Sequence, residues 1–285
     1  MKKVFFIGIL VGLCVSSTLS FADLSRSESL ESSSSSLARP SNKGQLEKAL
    51  LIGISNYKNI FQASPTDASK NDIHVIANLL TLRGVVTHQF EEIELSELSV
   101  FSENTSNFLV HFSGFAVCDQ DGVLLLPASA TSESIRDSGV HLSRLLDSVR
   151  KDKSQHIAVI LDTGLTFVDK KTKNCSPLKG ISGILNTSIL FPSLPGESGL
   201  LTTMGPGQMG ALSATLANVL IEHTDEISTG FLFGQVVKEI NKFSKPGLKQ
   251  TPWVLDAQLG SLTFPAASIV NMWSGSSDLE NSVAR

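Results

Sequence analysis

Between residues 46 and 266 the chain switches repeatedly between two hydrophobic rhythms. Ala49-Leu50-Leu51-Ile52-Gly53-Ile54 is an apolar run, as expected of a strand buried on both faces. Ile73, Ile76, Ala77 and Leu80 then repeat at i, i+3, i+4 and i+7, one stripe of an amphipathic helix. Gly84 is a helix stop, and Val85-Val86 opens a second strand. Asn107–Phe112 reads as a third strand, and Leu142, Leu145, Leu146 and Val149 restore the helical spacing. Ile157–Leu161 is a fourth strand, apolar throughout, and Gly199–Thr203 is the candidate for a fifth. Phe233, Val236, Val237 and Ile240 mark a further helix, and Trp253-Val254-Leu255 begins a last strand. The segment Ala211–Ile221 fits helix or strand, and periodicity does not choose. Strands alternating with helices predict an α/β fold: a three-layer α/β/α sandwich around a mostly parallel sheet. Ligands of such sheets sit beyond the carboxyl ends of the strands. Two loops are therefore the places for chemistry, Ser113–Ala116 and Asp162–Leu165.

The ends of the chain follow neither rhythm. Lys2 and Lys3 precede an apolar stretch from Val4 to Val15, and Ser20-Phe21-Ala22 sets small residues where a signal peptidase reads. The stretch is short for a permanent span, so residues 1–22 are expected to be a signal peptide rather than an anchor. Cys14 follows Leu13, a poor context for lipidation. Residues 23–45 are polar and serine-rich, including the run Ser32–Ser36, and are expected to form a flexible linker. Residues 46–266 form the folded domain, and 267–285 a polar tail. The expectation is an exported protein, periplasmic or secreted and of bacterial type, with no stable membrane span after cleavage.

Composition narrows the function. Of 285 residues, 41% are hydrophobic and 18% charged, which suits a globular protein. With 23 Lys+Arg against 27 Asp+Glu the formal net charge is -4, so nucleic-acid binding lacks electrostatic support. The mature chain would keep Cys118 and Cys175, enough for one bridge but not a disulfide framework. No CxxC or His/Cys cluster suggests zinc, and no cofactor motif is present. Gly205-Pro206-Gly207 lacks the GxxxxGK[ST] context of a phosphate cradle and reads as loop punctuation. Glu91-Glu92-Ile93-Glu94 reads as a solvated face.

In its strand ends the chain resembles the caspase and metacaspase superfamily. Ala49–Ile54 with Tyr57 is similar to that family's first strand, and Asn71-Asp72 with the helix to Gly84 to its first helix. His111-Phe112-Ser113-Gly114 resembles the motif His-Tyr-Ser-Gly-His-Gly, and Gly122–Pro127 the hairpin after it. Ile160-Leu161-Asp162 is similar to the strand leading into Asp-Ala-Cys-His-Ser-Gly. Gly230-Phe231-Leu232 and Gln250-Thr251-Pro252 also sit where relatives carry similar residues, so the match runs from about Lys48 to Phe264. The family's mechanism pairs a thiolate nucleophile with a histidine. On the resemblance, the histidine position reads Phe115 and the cysteine position Gly164. Neither side chain titrates or attacks a carbonyl.

The resemblance also implies a substrate pocket. In metacaspases the aspartate two residues before the cysteine helps bind a basic side chain; here that residue is Asp162. Their second acid follows a Gln-Thr-Ser-Ala-Asp run, which Gln208–Leu212 matches with Leu212 in the acid's place. The plainer reading of Asp162 is a carboxylate that bonds its own strand-end loop. Cys118, just past the Phe115 loop, is the candidate for a displaced nucleophile, with His111 or His141 as base. The duller alternatives for it are a buried thiol or a bridge to Cys175, because both loops belong to one end of the sheet. His111 itself reads as a core histidine, and His88, His156 and His223 have no partners at diagnostic spacing.

Three functions follow. The first is an inactive pseudoprotease that holds a peptide or protein partner through Asp162 and Gln208. The alternative is a cysteine endopeptidase with catalysis relocated to Cys118. The third is a purely structural unit whose cleft Phe115 and Gly164 fill.

Overall fold

The computed structural model describes residues 44–57, 67–92, 107–150, 152, 154–168, 173–181, 185–204, 207–243, 249–258 and 260–268. The chain divides into Met1–Pro40 and Ser41–Arg285, and the described residues all belong to the second unit. Residues 1–22, expected to be a signal peptide, nearly all of the expected linker at 23–45, Gly205-Pro206 and residues 269–285 lie outside them.

Along the chain the elements are β1 (Lys48–Gly53), α1 (Ala68–Leu82), β2 (Val86–Glu91), β3 (Asn107–Ser113), β4 (Ala116–Asp119) and β5 (Gly122–Leu125). There follow α2 (Ile135–Ser138), β6 (Val140–His141), α3 (Leu142–Val149), β7 (His156–Asp162), β8 (Leu165–Phe167) and β9 (Thr187–Phe191). The last are β10 (Leu201–Met204), β11 (Gly207–Gly210), α4 (Ala211–Glu222), β12 (Ile227–Ser228), α5 (Thr229–Ile240), β13 (Trp253–Asp256) and β14 (Thr263–Phe264). The main sheet has the order β13-β9-β7-β3-β1-β2; its pairs are parallel except β13 with β9, which is antiparallel.

Apolar runs without alternation are explained by burial on both faces. Leu50, Ile52, Val110, Phe112, Val159 and Leu161 enter one core, against α3 and the strands β4 and β5. Their neighbours Ala49, Leu51, Leu109, Ala158 and Ile160 enter the other, against α1, α4 and α5. The α/β/α sandwich is thus present. One of its outer layers combines α3 with a four-stranded sheet of order β6-β5-β4-β8.

The ambiguous segment is helix α4. Nine of its twelve residues are buried, so no polar face exists to reveal a 3.6-residue stripe. The expected fifth strand, Gly199–Thr203, is not in the main sheet. Residues 201–204 form β10, which pairs antiparallel with β11 as a separate ribbon, with exposed Leu201 and Thr203 alternating with half-buried Thr202 and Met204. The sheet position belongs to β9, whose Thr187 and Ser188 are polar yet buried and so broke the apolar run.

Helix α1 ends as Gly84 suggested. Gly84 takes φ 76°, its N–H reaches Thr81 O at 2.9 Å, and Val85 N reaches Leu80 O at 3.0 Å. Beside it, the guanidinium of Arg83 is buried and donates to the carbonyls of Leu220, His223, Asp225 and Pro265. It thereby closes the carboxyl end of α4. No helix among the described residues is long and apolar enough to cross a membrane.

Candidate functional site

The parallel register brings the ends of β1, β3 and β7 level: Gly53 pairs with Ser113, and Ser113 with Asp162. A cleft of about 290 Å³ opens beyond these ends, where an open parallel sheet places its ligands. Ser113, Phe115, Asp162, Thr163, Gly164 and Gly210 are among its walls, together with Tyr57, Asp72 and the segment Ser198–Leu201. The two loops singled out from sequence therefore meet in one crevice.

Phe115 stands at the mouth, 40% exposed. Its ring meets Tyr57 edge to face at 4.8 Å, and its amide donates to the Tyr57 hydroxyl at 2.8 Å. That hydroxyl in turn donates to Leu126 O, and burial holds it protonated well above the usual phenol range. Gly164 lies back to back with Gly199. A Cβ on Gly164 would fall 2.8 Å from Gly199 N and 3.2 Å from Ser198 Cα. The backbone of 198–199 thus occupies the space that a side chain at 164 would need.

The floor is acidic and buried. Asp72 is 1% exposed and Asp162 6%. Asp72 accepts from the Ser113 hydroxyl at 2.6 Å and from Gly210 N at 2.9 Å. Asp162 accepts from Ser213 N at 2.7 Å and also from the Ser213 hydroxyl. Gly210 is the N-cap of α4 and has no side chain to cap with, so the two aspartates serve that helix end from α1 and β7. Burial raises the Asp162 carboxyl to about 6, against the opposing Ser213 hydrogen bonds. Burial, then the Asp162 charge, raises Asp72 well above the carboxylate range, with Ser113 and Gly210 opposing. The hydroxyl of Thr163 is also buried, and it has no hydrogen-bond partner among the described residues.

The Asp162 carboxylate does not bond its own strand-end loop, as the plainer reading expected: it accepts from Ser213 at the amino end of α4, and Asp162 also lines the cleft. Gln208 does not line it. Its side chain is exposed on β11, and its carbonyl accepts from Asn71 Nδ2 at 2.9 Å. Leu212, which the resemblance set in the place of a second acid, is fully buried in the core shared with α1. The second carboxylate comes instead from Asp72, which the sequence reading did not assign. The signal was present: Asp72 lies four residues before Ile76 and eight before Leu80, on the apolar stripe of α1, where a charged residue needs a reason.

Cys118 is bonded to Cys175, with Cα atoms 5.2 Å apart. Cys118 is completely buried. The bridge ties β4, which continues from Phe115, to the segment after β8, which continues from Gly164. Neither candidate base is near its sulfur. His111 lies in the opposite core, where Nε2 meets Ser213 Oγ at 3.0 Å and burial lowers its pKa to about 4. His141 lies on β6, with β5 between it and β4. Among the described residues no group of three or more His, Cys, Asp or Glu could hold a metal ion.

No protein-family model and no curated protein sequence matches the chain. Solved structures do. The chain superposes on caspase-1 from Spodoptera frugiperda with a TM-score of 0.55 and 12% identity, covering 79% of this chain and 91% of that one. A second structure, pro-sf-caspase-1, gives 0.55 and 13%, covering 79% and 100%.

The fold is caspase-like. This fits the resemblance at the strand ends, and the caspase-like arrangement explains why residues 51 positions apart, Asp162 and Ser213, meet at one helix end. Phe115, Gly164, Asp72 and Asp162 give this crevice an aromatic mouth, a closed flank and an acidic floor.

Proposed function

We propose that this caspase-like domain is a pseudoprotease, a module that binds a peptide or protein segment at the strand-end cleft and does not cut it. The observation that carries the reading is the Gly164–Gly199 contact. Where the family's mechanism needs a sulfur, the chain has a glycine whose missing Cβ makes room for its own backbone. Phe115 supplies no imidazole on the other side.

The ligand's chemistry follows from the cleft. Two buried carboxylates at the floor attract a guanidinium or ammonium group, and Phe115, Leu200 and Leu201 offer apolar contact at the mouth. A segment carrying an exposed Arg or Lys beside apolar residues fits both. The signal segment at residues 1–22 makes the partner an exported one, in the periplasm or outside the cell, which fractionation of cells expressing the full chain would test.

The test of binding is a comparison of fluorescein-labelled peptides that differ at one residue, Arg, citrulline or Glu, by fluorescence anisotropy with the full chain. Tighter binding of the Arg peptide than of its citrulline isostere supports the reading. Equal binding of all three refutes it.

A further inference from the structure

The inference rests on the cationic-ligand reading above and concerns how the crevice balances its charge. Asp72 and Asp162 approach Gly210 from two elements. One takes the glycine's amide, and the other lies so near that a Cβ on Gly210 would be 2.0 Å from its Oδ2. Every hydrogen-bond donor that meets the pair is neutral: the Ser113 hydroxyl, Gly210 N, and the amide and hydroxyl of Ser213.

Among the described residues, no cationic side chain faces the pair. The described residues that line the cleft include no Lys, Arg or His. From β3, His111 reaches Ser213 Oγ through Nε2 and is kept neutral by burial. After β1, Tyr57 is held as the neutral phenol. Lys70 of α1 is ion-paired with Glu91 on the surface at 2.9 Å. Two anions in this setting repel each other, and among the described residues only neutral hydrogen-bond donors and the partial positive charge at the amino end of α4 offset that repulsion.

We propose that the crevice exchanges a proton for its ligand: the empty Asp72–Asp162 pair holds one proton, and entry of a guanidinium or ammonium group expels it to solvent. The balance is simple. The empty pair carries one negative charge and one proton; the occupied pair carries two negative charges against the ligand's positive one, and H⁺ leaves. The two carboxyls titrate as one pair: burial raises both, and the Asp162 charge raises Asp72 further, so the first charge on the pair disfavours the second. The incoming cation reverses that Coulomb effect.

The experiment is isothermal titration calorimetry of the full chain with N-acetyl-arginine amide at pH 7, in three buffers of different ionisation enthalpy. N-acetyl-citrulline amide is the neutral control. The plot of observed heat against buffer ionisation enthalpy is expected to show release of about one proton per ligand, and the affinity to rise close to tenfold per pH unit between pH 6 and 7. Binding of the arginine probe with no proton release overturns the exchange and leaves the cationic reading standing. Equal heats for arginine and citrulline, or no heat for either, overturn both. The Asp72→Asn variant is expected to bind the arginine probe through Asp162 without proton release; continued release from that variant also overturns the exchange. The wild-type measurement does not depend on the variant's folding.

Discussion

Replacing Gly164 by alanine probes the flank of the cleft with one methyl group. The added carbon would lie 2.8 Å from Gly199 N and 3.2 Å from Ser198 Cα, and both are backbone atoms. The segment they belong to is held on both sides. Leu165 N donates to Glu197 O at 3.0 Å, Gly196 N to Leu165 O at 2.7 Å, and Leu200 N to the Gln250 side chain at 2.8 Å. Retreat by the several tenths of an ångström required therefore strains these bonds. Overpacking of this kind costs about 1–3 kcal/mol. For a domain of this size that lowers the melting temperature by roughly 2–10 °C. Gly234→Ala is the internal control. Gly234 lies inside α5, its added Cβ would meet nothing within 4 Å, and the exchange there is expected to raise stability by about 0.5–1 kcal/mol. Thermal unfolding followed by far-ultraviolet circular dichroism reads both. If Gly164→Ala melts at or above the wild type while Gly234→Ala behaves as stated, the close approach of the two glycines is not what shapes the cleft.

Other expectations are shorter to state. Arg83→Met leaves the carbonyls of Leu220, His223, Asp225 and Pro265 without their buried donor and is expected to destabilise the domain by about 3–5 kcal/mol, read by urea denaturation. Asp162 has a raised folded-state pKa, so its contribution is present below the unfolded value of 3.8 and is lost as pH rises through about 6. Relative to Asp162→Asn, the wild type should lose on the order of 3 kcal/mol between pH 4 and pH 7; parallel pH profiles of the two would contradict this. Reducing the Cys118–Cys175 bridge frees a loop with a sequence separation of 57. Loop entropy then predicts a loss of about 4 kcal/mol, visible as a lower urea midpoint in dithiothreitol and absent from the Cys118→Ala/Cys175→Ala variant.

Much of the fold could be read from the sequence because burial writes a strong pattern. Strands covered on both faces, such as Ile157–Leu161, show as unbroken apolar runs, and helix α1 shows its stripe. What was illegible had the opposite character. Helix α4 is buried nearly all round, so its period is invisible, and β9 begins with Thr187 and Ser188, polar residues buried by bonds to Arg150 and Asp256. The same logic governs the site. Phe115 and Gly164 could be located because a motif fixes their places along the strand ends. Asp72 could not, because its role arises from contacts with Ser113 and Gly210, 41 and 138 residues away. Gln208 was misplaced for a related reason. A short ribbon, β10–β11, turns its side chain outward, and alignment of a five-residue run carries no information about that turn.

The most direct test of the account is mass spectrometry of an arginine-containing peptide held at saturating concentration with the purified full chain. The account predicts that the peptide is retained by the protein and recovered at its original mass after prolonged incubation. Cleavage of the peptide by the wild type, abolished in a Cys118→Ser variant, would contradict it.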